Sequence, residues 1–532
     1  MDRQNDGPNN EPTGREHITT VTYSSRRQAE PLMDHIRRKG THGGVTFGQQ
    51  ADPCVGLLSK FATTFLELAR EEARYNVQVV PHLNMPGFPS STHNPSREVT
   101  AAQTGSNGPV SSETSTCPET STRSGAAETA PLWTTGPRNM WLATDASVMM
   151  QIDPSTLEPI GPSRQHRLHP LLTGPLSAAH AQRDPQTGDV FNFNTAVGRV
   201  ATHRVFAVRS ATNTTEILAE IRDGDPVPAP PTYLHSFFLT ENYVVLCLPV
   251  SRFKLGGLAI AWNKNILDSI QPFDQHALCR WFVVDRRHGR GLVARFTSPA
   301  SFFFHTVNAF EQDRDGALSI FADVVEYPNH DIMHAFYYDV LRNRDAAATR
   351  FFAANPALAK DRQTTRTVQP RLTRYQLSIP TRSPPTLAAT DTTILSAVGI
   401  QHIQAPHIGE LPTINPLFAT KPARYVYSVA ARGYSAALGD AIVKTDSTSG
   451  TVLFWTGPHG HSPGECIFIP RPKNEGGTGQ EDDGVVLSVV LDGVGQSSYL
   501  LCLDATDLEE VGRAECGFAV PFGFHGVHVK TD

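Results

Sequence analysis

Four of the 21 histidines in this 532-residue chain stand in similar company. His180 lies in LSAAHAQRD, His235 in TYLHSFFLTENYVVL, His305 in SFFFHTVNAFE and His525 in PFGFHGVHV. Each sits beside small or aromatic residues where a strand begins or ends. Neutral imidazole suits iron, zinc, copper and nickel, and an ion that keeps open coordination positions can do catalysis. Taken singly, each of the four reads first as a buried, hydrogen-bonded histidine, and spacing alone does not select them. Other motifs fail. GRGLVA (289–294) matches the loose dinucleotide pattern but leads into a strand instead of opening a helix. No P-loop occurs, and His459 and His461 in GPHGHSPG read as a surface turn.

Residues so far apart in sequence need a scaffold that gathers them. YVVLCLPV, WFVVDRR, GLVARF, ALSIFADVVEY, YVYSVA, TVLFWTG, CIFIP, GVVLSVVLDG and SSYLLCLDA are β-rich runs divided by Gly, Pro, Asp and Asn turns. Strand spacings of roughly ten residues fit a sandwich, barrel or propeller. The size exceeds a typical sandwich and no clean repeat at a fixed period is seen, so a large propeller with irregular loops fits best. In a propeller the inner strands of successive blades converge on one axis, where distant histidines can meet around one ion.

Three segments depart from this pattern. Residues 1–20 are polar and turn-rich and read as a disordered N-terminus, leaving 21–532 as a single propeller domain. Residues 87–130 form a Ser/Thr/Pro/Gly-rich low-complexity insertion whose composition cannot offset its ordering entropy. VGLLSKFATTFLELAREEARY (55–75) is the best helix, with Leu58, Phe61, Phe65 and Leu68 at three- and four-residue steps. That apolar stripe docks on the core or touches a membrane.

Composition sets outer bounds. Hydrophobic content of 39%, charge of 18% and a net charge of -6 describe a globular chain with no basic block for nucleic acid. No apolar run resembles a signal peptide or is long enough to span a bilayer. The seven cysteines are scattered, with no CxxC pair, and read as reduced cytosolic thiols. A cytoplasmic protein is expected.

The four histidine contexts, together with DPSTLEPIG, GECIFIPRP and EDDGVVLSVVLDG, resemble the carotenoid cleavage oxygenases, the group that includes the retinoid isomerase of the retinal pigment epithelium. The resemblance runs from about Val21 to His528, outside the insertion. It implies an all-β, seven-bladed β-propeller with a helical and loop cap over an axial Fe(II) held by His180, His235, His305 and His525. It further implies carboxylates behind the ligands: Asp145 for His235, Glu410 for His305 and Glu465 for His525. Such a carboxylate accepts the far N–H, fixes the ring and raises its basicity. Asp145 stands where the family pattern has glutamate; it is one methylene shorter, which leaves two alternatives, a direct bond to the histidine or a contact bridged by water. O2 would be the co-substrate, and one C=C of a conjugated lipophilic polyene would split into two carbonyl products. Phe304 and Phe524, each next to a histidine, would line the substrate tunnel.

Family members that cleave stilbenes resemble one another in a lysine directly before the first of these acids, for binding a phenol. Here that position is Thr144, which disfavours phenolic stilbenes. VTYSSRRQAE, FGQQADPC and LATDASVMMQIDPSTLEPIG look most like the fungal torulene-cleaving branch, which makes β-apo-4'-carotenal on the way to neurosporaxanthin. A membrane-dissolved substrate raises the membrane reading of the 55–75 helix, through Leu58, Phe61 and Phe65, on a bilayer or lipid-droplet surface. Family members also carry a Gly-rich strand and an FDG-type turn ahead of the VTYSSRR-like strand. The first twenty residues match neither, so the first blade is expected to be incomplete, with an exposed strand edge. The alternatives are cleavage of another carotenoid, an apocarotenoid or a stilbene, ester cleavage with isomerisation, or a non-catalytic paralogue that binds a lipophilic ligand without metal.

Overall fold

The computed structural model describes residues 21–26, 30–39, 45–48, 77–87, 139–314, 316–352, 368–381, 386–387, 391–432, 439–520 and 523–529. The helix expected over 55–75, with Leu58, Phe61 and Phe65, lies outside these residues, as do 1–20 and the insertion beyond Gly87.

Among the described residues the chain folds into five sheets in sequence order, an all-β, propeller-like arrangement. The first joins Gln78–Pro81, Met140–Ala143, Val148–Ile152 and Pro159–Arg164; the second joins Leu176–Ser177, Gln182–Arg183, Val190–Ala196, Thr202–Arg209 and Thr214–Arg222. The third has eight strands: Phe238–Leu239, Tyr243–Leu248, Leu278–Asp285 and Leu292–Pro299, then Phe302–Arg314, Ala317–Tyr327, Arg371–Ile379 and Leu395–Gln404. Its two four-stranded antiparallel halves touch through one short parallel pairing, Phe296 to Leu395 and Thr297 to Ser396. Its end strands also come together, since Ser236 Oγ donates to Phe304 O and Thr306 Oγ1 to Phe237 O, so the sheet nearly closes on itself. The fourth sheet joins Glu410–Thr413, Tyr425–Ala430, Ala441–Asp446 and Val452–Trp455. The fifth joins His461–Pro463, Ile467–Pro470, Gly484–Asp492, Ser497–Asp504 and Glu510–Glu515.

These runs become strands because β-branched and aromatic residues fill both faces where neighbouring sheets pack, as in the wholly buried Tyr243–Leu248, YVVLCL. Outer strands alternate instead, as in Thr214–Arg222. Five hairpins share one device. Asp153, Asp184, Asp285, Asp446 and Asp492 each accept, through Oδ1, the backbone N–H groups two and three residues on. This is a structural repeat with irregular spacing, which a search for a fixed period does not find.

Two expectations change. His461 is in a strand, half-buried, with Nδ1 3.0 Å from the Tyr499 hydroxyl, because the fifth sheet recruits it. Val21 to Arg26 makes no strand; Tyr23 packs edge-on against Phe518 at 4.7 Å and Arg26 pairs with Glu158. GRGLVA enters the strand Leu292–Pro299, as its context implied. Helical segments at Leu258–Asn263, Asp331–Phe336, Tyr338–Leu341 and Ala347–Phe352 lie between strands. Met333, Phe336 and Ile260 pack with Phe302, Phe304 and Tyr233 in one cluster. Among the described residues no helix is long and apolar enough to cross a membrane.

Candidate metal centre

Sheet edges supply three of the four histidines, at places where the edge is irregular. In the second sheet the edge strand is broken in two: Leu176–Ser177 and Gln182–Arg183 both pair with Val190–Ala196, and the gap between them carries His180. The residues just before His180 are small: Ala178 and Ala179 are fully buried. Ahead of Leu176–Ser177, a Cβ on Gly174 would fall 2.3 Å from the Thr195 backbone. His235 precedes the edge strand Phe238–Leu239. His305 lies in Phe302–Arg314, where the ladder shifts register between Phe303 and Thr306. Such bulges re-aim side chains. His525 arrives on a strandless segment, at whose Gly526 a Cβ would meet Ile467 Cδ1 at 2.9 Å.

One ring nitrogen from each of the four histidines lies within 4.8 Å of the others. His180 Nε2 is 3.0 Å from His235 Nε2, and His305 Nε2 is 3.2 Å from His525 Nε2. Carboxylates hold the far side of three rings. His235 Nδ1 lies 2.9 Å from both oxygens of Asp145, His305 Nδ1 donates to Glu410 Oε2 at 2.6 Å, and His525 Nδ1 donates to Glu465 Oε1 at 2.8 Å. Glu465 occupies a second interrupted edge, between His461–Pro463 and Ile467–Pro470. Glu410 opens its edge strand.

Asp145 bonds its histidine directly, and no water bridge is needed. The short side chain reaches because its backbone is drawn in: Asp145 O accepts Ser177 N–H, and Ala146 bridges Leu176. Its Oδ1 also accepts the N–H of Ala179 at 3.1 Å, so one carboxylate ties the His235 ring to the segment bearing His180.

In a neutral imidazole whose Nδ1–H goes to a carboxylate, the lone pair is on Nε2. With both rings neutral, His305 and His525 aim two lone pairs at each other across 3.2 Å. That is repulsive unless a cation stands between them. Metal–nitrogen bonds of about 2.1 Å at right angles would set the nitrogens roughly 3.0 Å apart, close to both observed separations. Burial above all, then the three neighbouring imidazoles, holds His180 well below the usual histidine range. Burial likewise takes His305 down to about 4 against the opposing pull of Glu410. These two rings are unprotonated donors at neutral pH, and the four together could hold a metal ion.

Two residues that sequence reasoning passed over complete the centre. Tyr233 OH donates to Asp145 Oδ2 and Tyr327 OH to Glu410 Oε1, each at 2.7 Å. Burial and then the adjacent carboxylate raise both phenols well above their usual range, so they remain donors. Tyr233 stands two residues before His235, but nothing local marks Tyr327. Phe304 is buried with its ring 5.8 Å from His235 and 5.5 Å from Phe336. Phe524 is 42% exposed and faces Phe336 at 5.9 Å. Thr144 is half-buried, just before Asp145. A cavity of about 930 Å³ is lined by Leu255, Trp262 and Tyr337 among others, and by Leu267, Ile270 and Met333, which also belong to the Phe302–Phe304 cluster.

The family model described as retinal pigment epithelial membrane protein matches residues 15–530. The chain belongs to this family. Among its relatives, torulene dioxygenase of Gibberella fujikuroi is 45% identical over 96% of this chain and 81% of its own length. Carotenoid dioxygenase of Neurospora crassa is also 45% identical, over 96% of this chain and 79% of its own. A variant of Synechocystis apocarotenoid oxygenase shares the fold at a TM-score of 0.53, with 21% identity over 74% of this chain and 73% of that one. The cobalt-substituted form of that oxygenase matches at 0.52, again with 21% identity, over 74% and 73%.

Proposed function

We propose that this chain is a non-haem Fe(II) dioxygenase that uses O2 to split one C=C bond of a carotenoid into two carbonyl products. The substrate is torulene and the product β-apo-4'-carotenal. The observation that carries the reading is the meeting of four imidazoles with three carboxylates behind them. The 45% identity to torulene dioxygenase over 96% of the chain supports the substrate.

His180, His235, His305 and His525 would hold the ion through Nε2, leaving positions open. Bound there, Fe(II) supplies the redox chemistry that couples O2 to a closed-shell alkene. Asp145, Glu410 and Glu465 keep the rings turned inward and spread part of the ion's charge. Phe304, with Tyr233 and Phe336, presents a dry aromatic wall to the polyene, and Phe524 and Thr144 complete the lining. The 930 Å³ cavity beside this wall has room for one arm of a long hydrocarbon. Leu255 and Leu258, 77% and 62% exposed near that cavity, support a peripheral lipid surface as the source of substrate; the same membrane role is proposed for Leu58, Phe61 and Phe65 on their sequence pattern. The seven-bladed reading is supported by the third sheet, whose two halves count as two blades and bring the described total to six.

Protein purified without oxygen should carry about one iron per chain, and with ¹⁸O2 it should turn torulene into two carbonyl fragments that both carry label. Folded protein without iron, or a single unlabelled isomerised product, overturns the proposal. Phe61→Ser with Phe65→Ser should lower sedimentation with liposomes; unchanged sedimentation removes the membrane role.

A further inference from the structure

We infer that Tyr327 is a positioning residue for the metal centre: its hydroxyl fixes the plane of the Glu410 carboxylate, which holds the His305 ring with Nε2 turned inward. This rests on the metal reading proposed above.

Tyr327 ends the strand Ala317–Tyr327 and pairs with Phe302 on the strand that carries His305. Glu410 comes from another sheet, as the first residue of an edge strand whose register slips directly beyond it. The backbone ladder therefore leaves the carboxylate plane undetermined. His305 Nδ1 and Leu411 N bind Oε2, at 2.6 and 3.2 Å, and the Tyr327 hydroxyl binds Oε1 at 2.7 Å. A carboxylate gripped at one oxygen can pivot; gripped at both, it cannot, and the imidazole it holds keeps its aim.

The surroundings point the same way. Tyr327 is 1% exposed, and its ring packs with Phe302 and Phe304. Phenylalanine would fill that place equally well, and burying a hydroxyl among aromatic rings is unfavourable unless it is bonded. The acceptor that justifies the hydroxyl is Glu410. At Glu465 a backbone group has the same task, since Gly526 N–H donates to Oε2 at 2.7 Å beside His525 itself. Glu410 has no such neighbour next to its histidine in sequence, and the hydroxyl stands in for it.

The test is Tyr327→Phe in protein loaded with Co(II), whose visible spectrum and hyperfine-shifted imidazole N–H resonances report each ligand without turnover. The variant should bind Co(II) about tenfold more weakly, the scale of loss usual for groups behind a metal ligand. The His305 N–H resonance should broaden by solvent exchange while that of His525 stays sharp. Adding Tyr327→Phe to Glu410→Gln should weaken binding no further, because the hydroxyl acts only through that carboxylate. The thermal midpoint should fall in the loaded protein and hold in the metal-free one. Wild-type affinity and spectrum in the variant overturn the inference, as does an equal fall of both midpoints or failure of the variant to fold, for then the hydroxyl only staples two sheets together. Wild-type protein that binds no Co(II) overturns the metal reading itself, a separate outcome.

Discussion

The His180–His235 half of the centre and the His305–His525 half solve one problem in two ways. In the second half each histidine has its own glutamate, at 2.6 and 2.8 Å. In the first half a single, shorter Asp145 binds the His235 ring at 2.9 Å and, through Ala179 N–H, the segment carrying His180. A shorter acid works there because backbone bonds pull the two loops together before the side chain has to reach. The cost is that two arms depend on one carboxylate, whereas the glutamates can fail one at a time.

Removing a ligand is the coarsest way to probe this. His235→Ala should lower bound metal to near zero and abolish cleavage, as loss of one donor from a four-donor site requires; retained metal, by metal analysis, would remove His235 from the set. The comparison itself is tested by the acids. Asp145→Ala should weaken metal binding about 100-fold and Glu465→Ala about tenfold, the two ends of the usual range for such partners. Equal losses in a metal titration would show that the Ala179 contact carries nothing.

The aromatic neighbours should differ too. Phe304→Ala, deep in the cluster, should cost about 3 kcal/mol in denaturant unfolding, and Phe524→Ala, half in solvent, less than about 1 kcal/mol. Stability should also depend on pH. Buried His203, hydrogen-bonded to Thr195 and Ala229, has its pKa lowered to about 4 by burial against an opposing pull from the Ala229 carbonyl. His305 in metal-free protein behaves alike. The unfolded chain takes up these protons near pH 6.5, so stability is complete above that value and falls as pH drops toward 4. Metal should flatten the His305 part of the slope and leave that of His203, which His203→Asn would remove. A thermal midpoint independent of pH through this window would contradict both.

Strands such as Tyr243–Leu248 and Gly484–Asp492 were legible because burial on a pleated ladder leaves its pattern within a few consecutive residues. The four histidines and three carboxylates were legible through the short motifs around them, by likeness to a family. Tyr327 was not, because its partner is 83 residues away and on another sheet. The recurring hairpin aspartates escaped because loops of unequal length separate them. His461 was misplaced because a Gly/Pro-rich run says turn until a neighbouring strand recruits it.

By itself, then, the sequence determined the β-rich make-up of the chain and the residues able to do chemistry, since both are local properties of side chains. Which four of 21 histidines meet, that Asp145 needs no water, and which nitrogen each ring presents were decided only by tertiary structure. These depend on where the edges of separate sheets come together, and no nearest-neighbour preference encodes that distance.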